Sequence, residues 1–350
     1  MDILTAVTLL SHEFGTAEYV KGGGGNTSAK NGSSLWVKPS GTTLEGLQPN
    51  AFVEVDRERL GLLYSICVPA DAQKREALVK EMMEKAVRQG QAGRPSVEAP
   101  LHDVLEETFV VHTHPALVNG MTCSLNGREA CEKLFPDALW VPYVDPGFSL
   151  CMDVRRRVRE YAGQRGRTPA VLFLQNHGVF VTGDAVEEVR GHYGKIMETL
   201  KRVYRSAGLQ ECLAVTPAAG NTVMAEIQRL VATDGWVVVC GGNFKAVKGP
   251  ISPDHIVYSK AFPYEGDVTA DGLEAFRRRW GYTPQVFVTN QGVYAAGPTI
   301  KKAALSLELA RDGALVGQLA EAFGGVRFLD DRQREFIEQW EVESYRQKQM

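Results

Sequence analysis

The 350-residue sequence contains no Cys-x-x-Cys pair; its six cysteines (Cys67, Cys123, Cys131, Cys151, Cys212 and Cys240) are scattered. That spacing excludes a zinc knuckle and a disulfide framework, so the thiols read as reduced and mostly buried. No basic tract stands apart from acidic neighbours and the formal charge is −3, which argues against nucleic acid as a partner. No apolar run approaches the roughly 20 residues needed to span a bilayer. The start, Met1-Asp2-Ile3-Leu4, lacks a basic leader, and the expected location is the cytoplasm. No Gly-Lys-Ser/Thr closes the glycine-rich run, and no Gly-x-x-x-Gly-x-Gly follows a strand, so neither a nucleotide loop nor a nicotinamide cofactor is expected. What is present is globular composition, 44% hydrophobic and 23% charged, in a chain long enough for two domains.

Histidine is also sparse, at seven residues, and its placement is informative. Phe109-Val110-Val111-His112-Thr113-His114-Pro115 reads as a buried strand ending in two histidines at i, i+2, which project from one face of an extended backbone. Alone, such a pair fits a shared metal ion or one buried and one exposed imidazole. A second run, Val171 to Gly183, places two apolar strands around an Asn176-His177-Gly178 corner, so His177 sits at a tight turn. A His-x-His pair plus a distant turn histidine is a way to build a three-imidazole face with an open position. His12 and His192 fall on predicted helices without partners, and His102 lies one turn after Glu98.

Glu98 follows a Ser96 cap among Val97, Ala99, Pro100 and Leu101, a setting that desolvates a carboxylate and favours a working base. Two polar corners suit a phosphate monoester. One is Lys21-Gly22-Gly23-Gly24-Gly25-Asn26-Thr27-Ser28, rich in accessible main-chain N–H groups; the other is Pro39-Ser40-Gly41-Thr42. Asn31-Gly32 marks a hairpin between them.

Helices are expected over residues 2–14, 74–89 (with Leu78, Met82, Met83 and Val87 inward), 130–135, 152–162, 185–207, 299–322 and 331–348. Thr283 to Gly297 matches Thr168 to Gly183 closely, and each is followed by a long helix. The copy carries Gln291 where the first unit has His177, and only His255 lies in the second half, so that half is expected to serve packing, assembly or a lid, or to shape the pocket through Asp254-His255.

In order and spacing, Gly25-Asn26-Thr27-Ser28, Lys38-Pro39-Ser40-Gly41, Pro95-Ser96-Val97-Glu98, His112-Thr113-His114 and Asn176-His177-Gly178 resemble the class II aldolase/adducin family over about residues 3–210. The Ser-Val-Glu-Ala-Pro-Leu-His run and the long second half resemble most the aldolase portion of the two-domain rhamnulose-1-phosphate aldolase/lactaldehyde dehydrogenase proteins. The resemblance implies an α/β fold over residues 1–215, a three-layer α/β/α arrangement with a mostly antiparallel central sheet. A degenerate duplicate of the same kind, without metal ligands, would fill residues 221–350.

The same resemblance implies Zn²⁺ or another divalent metal on His112, His114 and His177, and a phosphorylated sugar as substrate. The reaction would be cleavage of a ketose 1-phosphate, rhamnulose-1-phosphate-like, to dihydroxyacetone phosphate and an aldehyde through a zinc-stabilised enediolate. Glu98 would move the proton and Tyr143 would act as the second acid. Gly25, Asn26, Thr27, Ser40, Gly41 and Ser96 would bind the phosphate end. The family often has Ser-Ser-Glu where this chain has Ser96-Val97-Glu98, so one phosphate-side hydroxyl is missing. Other members are epimerases, dehydratases or decarboxylases, and adducin-type members are binding modules. Family members often form tetramers, while an internal second copy can replace subunit contacts, which leaves a homo-oligomer open.

Overall fold

The computed structural model describes residues 1–91, 93–219 and 222–340. Its N-terminal sheet has seven strands: β1 (Asn26–Asn31), β2 (Ser34–Val37), β3 (Val53–Asp56), β4 (Phe109–Thr113), β5 (Leu139–Val141), β6 (Val171–Leu174) and β7 (Gly178–Gly183). Their order is β3-β2-β1-β4-β7-β6-β5, antiparallel throughout except for the β5–β6 pair. The helices of this part are α1 (Ile3–Glu13), α2 (Arg57–Gly61), α3 (Ala72–Ala86), α4 (Ala99–Val104), α5 (Ala116–Thr122), α6 (Gly127–Leu134), α7 (Phe148–Arg165) and α8 (Val186–Ser206).

Strand alternation sends successive side chains to opposite layers. Val111, Val179 and Val181 pack with Val7 and Leu10 of α1, Met121 of α5 and Tyr193 of α8. On the other side Val110, Leu172 and Phe180 meet Leu101 of α4 and Val154 and Val158 of α7. Helices therefore cover both faces, as a three-layer α/β/α fold requires. Helix α3 turns Met83 inward as predicted, with Met82 and Val87 packed at the edge of the same cluster, while Val79 and Ala86 rather than Leu78 complete the buried face against Val37, Val53 and Val55.

The C-terminal part holds β8 (Val237–Cys240), β9 (Tyr264–Glu265), β10 (Val286–Thr289) and β11 (Gly292–Gly297), with α9 (Thr222–Val231), α10 (Pro253–Ser259), α11 (Ala270–Trp280), α12 (Ile300–Ala320) and α13 (Asp331–Gln339). Its sheet runs β8-β11-β10-β9, with two antiparallel pairs and a parallel β9–β10 edge. Order and directions repeat those of β4-β7-β6-β5. Helix α12 follows β11 as α8 follows β7, and lies against α5, where Ala116 and Cys123 pack with Val316. The predicted last helix ends at Gln339; its continuation, with Tyr345, lies outside the described residues.

Candidate metal centre

His112 lies near the end of strand β4 and His114 directly follows it, and the hairpin between β6 and β7 brings His177 beside them. The possible ligand atoms of the three buried residues lie within 4.8 Å of one another. Their ring centroids are 4.6 to 5.0 Å apart. Each ring is held from outside. His112 stacks on Phe180 at 3.9 Å, and its Nδ1 lies 2.9 Å from the Val179 carbonyl. Nδ1 of His114 lies 2.5 Å from Oδ2 of Asp254. The His177 corner is fixed by Asn176, which takes a left-handed φ of 54° and donates through Nδ2 to the carbonyls of Ile251 and Arg327, each at 2.8 Å. Gly178 is obligatory there, since a Cβ would fall 2.4 Å from the Thr113 carbonyl and 2.5 Å from Cδ2 of His114.

These partners settle the tautomers. A carbonyl and a carboxylate accept hydrogen bonds, so both Nδ1 atoms carry hydrogen and each Nε2 of a neutral ring presents a lone pair. The Nε2 atoms of His112 and His114 face each other at 2.9 Å. Two lone pairs at that separation need a cation between them, either a proton or a metal ion. A third imidazole in the same cluster goes beyond what a shared proton requires and matches the donor set of an open zinc-type site. Burial, reinforced by His112 and His114, pushes the His177 pKa down to about 3, which keeps it neutral and able to ligate near pH 7.

Glu98 stands at the N-cap position of helix α4 without a side-chain capping bond, with Oε1 3.4 Å from Nε2 of His112 and 3.8 Å from Nε2 of His177. Its other oxygen accepts from the side-chain amide of Asn26, which pairs across from His112 in the β1–β4 ladder. Ser96 Oγ accepts from the Glu98 main-chain N–H, a local tether of this turn. Behind it, His102 bonds Ser28 at 2.8 Å, and burial lowers its pKa to about 3.

The other predicted residues are placed unevenly. Gly25 sits at φ 73°, where a Cβ would strike Val20 and the His112 carbonyl. Ser40 and Gly41 form the second polar corner, and the Ser40 N–H bonds the Arg94 carbonyl. Thr27 alternates to the opposite layer from Asn26, and its hydroxyl bonds Ser11 of α1 in the core. Tyr143 packs against the C-terminal cluster of Ile256, Val257 and Ile337. Burial, with the Asp145 carboxylate nearby, raises its pKa above the usual tyrosine range, and its hydroxyl is bonded neither to Glu98 nor to the histidines.

Sequence reasoning names Lys38 in the Lys38-Pro39-Ser40-Gly41 motif but gives it no role; its Nζ bonds the Thr42 carbonyl at 2.7 Å and reaches the Gly23 carbonyl at 3.4 Å, joining the two polar corners. Its place between a strand and the Pro39-Ser40-Gly41 corner was the available signal. Asn176 and Asp254 act through contacts between distant segments. In the second sheet, Tyr294 pairs with Cys240 as Phe180 pairs with His112. The positions of His112, His114 and His177 thus correspond to Cys240, Gly242 and Gln291. Among the described residues the three histidines form the one cluster suited to a metal.

The model of the Class II Aldolase and Adducin N-terminal domain matches residues 5–204. The uncharacterized oxidoreductase YuxG of Bacillus subtilis (strain 168) is 29% identical over 175 residues, 47% of this chain; the chain spans about a quarter of that relative's length, 24%. Among solved structures, the N-terminal class II aldolase domain of a conserved protein from Thermoplasma acidophilum is 22% identical with a TM-score of 0.49, covering 57% of this chain and 92% of its own. The L-fuculose-1-phosphate aldolase of Thermus thermophilus is 14% identical with a TM-score of 0.39, covering 59% of this chain and 96% of its own. No helix among the described residues is long and apolar enough to cross a membrane. With the domain match covering more than half of its length, the chain belongs to the class II aldolase/adducin family.

Proposed function

We propose that the protein is a metal-dependent lyase cleaving a ketose 1-phosphate of the rhamnulose-1-phosphate kind to dihydroxyacetone phosphate and an aldehyde. Residues 1–215 form the catalytic unit and residues 221–350 a degenerate second copy. The observation that carries the reading is the facing Nε2 pair of His112 and His114, with His177 and Glu98 around it. His112, His114 and His177 would hold a divalent ion, zinc by preference, which would supply Lewis-acid stabilisation of negative charge on the substrate.

The remaining work falls to side chains. Glu98, buried beside the Nε2 cluster and steadied by Asn26, moves the proton at C3 of the three-carbon fragment. Gly25, Ser40, Gly41 and Ser96 bind the phosphate at the two polar corners, with Lys38, which bonds the Gly23 and Thr42 carbonyls between them, as its cationic partner. Glu98, His112, His114 and His177 are all buried, which limits the access of bulk water to the reacting carbon.

Purified protein incubated with rhamnulose-1-phosphate and related ketose phosphates should release dihydroxyacetone phosphate, read by a coupled reductase. No release from any of them refutes the lyase assignment, and an epimerised, dehydrated or decarboxylated product would replace it. Glu98→Gln should keep metal and lose most activity, whereas His177→Ala should lose metal. A fully active Glu98→Gln protein would remove the base from Glu98.

A further inference from the structure

We propose that Asp254 is a positioning residue of the metal centre, so that the C-terminal half completes a site whose three imidazoles all come from the N-terminal half. The inference rests on the metal-centre reading. Asp254 is 5% exposed, and its Oδ2 meets Nδ1 of His114 at 2.5 Å, on the side of the ring opposite the Nε2 cluster. A carboxylate in that position fixes the Nδ1–H tautomer, orients the ring and raises the basicity of Nε2 toward a cation. It takes no ligand position itself.

The surroundings hold this carboxylate in place. Residues 250–255 enter α10 from a loop whose Ile251 carbonyl accepts from Asn176, so a single segment grips both the His114 ring and the His177 corner. Next to Asp254, His255 bonds Ser252 Oγ at 2.7 Å through Nδ1, and its Nε2 lies 3.2 Å from Asp312 of α12. Asp312 in turn lies 3.5 Å from Lys21 of the glycine-rich run. That run makes room for the contact. A Cβ on Gly24 would stand 2.6 Å from Asp254 Oδ2, so the side-chain-free residue at 24 lets the carboxylate reach His114.

The test uses the full chain, stripped with a chelator and titrated with Co²⁺, whose visible absorption reports both affinity and ligand geometry. Asp254→Asn should weaken Co²⁺ binding by about 10- to 100-fold and alter the spectrum. Glu265→Gln, which loses only an exposed contact with Lys248 in the C-terminal half, should match the wild type. Wild-type affinity and spectrum in a folded Asp254→Asn protein overturn the inference while leaving the metal centre intact; a wild-type protein that binds no Co²⁺ overturns both. Should Asp254→Asn fail to fold, the unsubstituted apoprotein labelled with ¹⁵N-histidine decides. The His114 signal, assigned by its loss in His114→Gln, supports the inference when Nδ1 carries hydrogen and refutes it when Nδ1 is bare.

Discussion

Asn176 offers a quantitative check on how the His177 corner is held. Two separable effects meet in this residue: a left-handed backbone, φ 54°, and an amide that donates to the carbonyls of Ile251 and Arg327 at 2.8 Å each. Asn176→Gly keeps the backbone conformation without strain and loses both bonds. At a net value of about 0.5–1.5 kcal/mol per bond, that variant should be roughly 1–3 kcal/mol less stable. Asn176→Ala loses the same bonds and adds a left-handed cost of about 1–2 kcal/mol. The expected order is therefore wild type, then Gly, then Ala, the last step reading the strain less the roughly 0.4–1 kcal/mol that alanine returns by restricting the unfolded chain. Urea unfolding of chelator-treated protein measures it, and the shift in midpoint between the two variants is the decisive quantity because both lack the amide. An alanine variant as stable as the glycine variant would refute the strain argument. Two variants as stable as the wild type would refute the bonds.

Gly178→Ala should destabilise the protein by about 1–3 kcal/mol and weaken Co²⁺ binding, because the new methyl meets a strand carbonyl and the His114 ring, neither of which can yield freely. Thermal unfolding and metal titration check both, and a variant normal in each sinks the packing argument. Lys30 is buried, and burial brings its pKa down to about 7, with Asp103 partly opposing. Between the ordinary lysine value and about 7 the unfolded chain binds a proton that the folded chain does not. Native stability should therefore fall as pH drops through that window, by up to about 1.4 kcal/mol per pH unit, and level off below it. Lys30→Met should flatten that slope relative to the wild type; equal slopes in urea unfolding from pH 7 to 10 would refute the assignment.

The parts of the site legible in the sequence are those that local geometry dictates. His112 and His114 share a face because a strand alternates, and Asn176-His177-Gly178 reads as a turn because two apolar strands flank it. Alternation also explains Thr27: in Gly25-Asn26-Thr27-Ser28 neighbours must diverge, but which of them faces Glu98 depends on the register of β1 against β4. Asp254 and Asn176 act across 140 and 75 residues of sequence, through the packing of α12 against α5 and of α10 against α12, and no local pattern encodes that packing. The match of Thr283–Gly297 to Thr168–Gly183 is visible as sequence; the correspondence of Cys240 with His112 needs the strand pairings, since their surroundings share no motif.

The bond between Asp254 and His114 has a kinetic corollary. Both groups lie on one polypeptide, so their meeting is a unimolecular event. The chain itself sets an effective concentration for such tethered partners, of millimolar order for short flexible links and higher when the link is a packed body. A carboxylate lent by a separate subunit would be withdrawn at protein concentrations below the dissociation constant of the assembly. Here the orientation of His114 is insensitive to dilution, and metal affinity per chain should stay constant down to nanomolar protein.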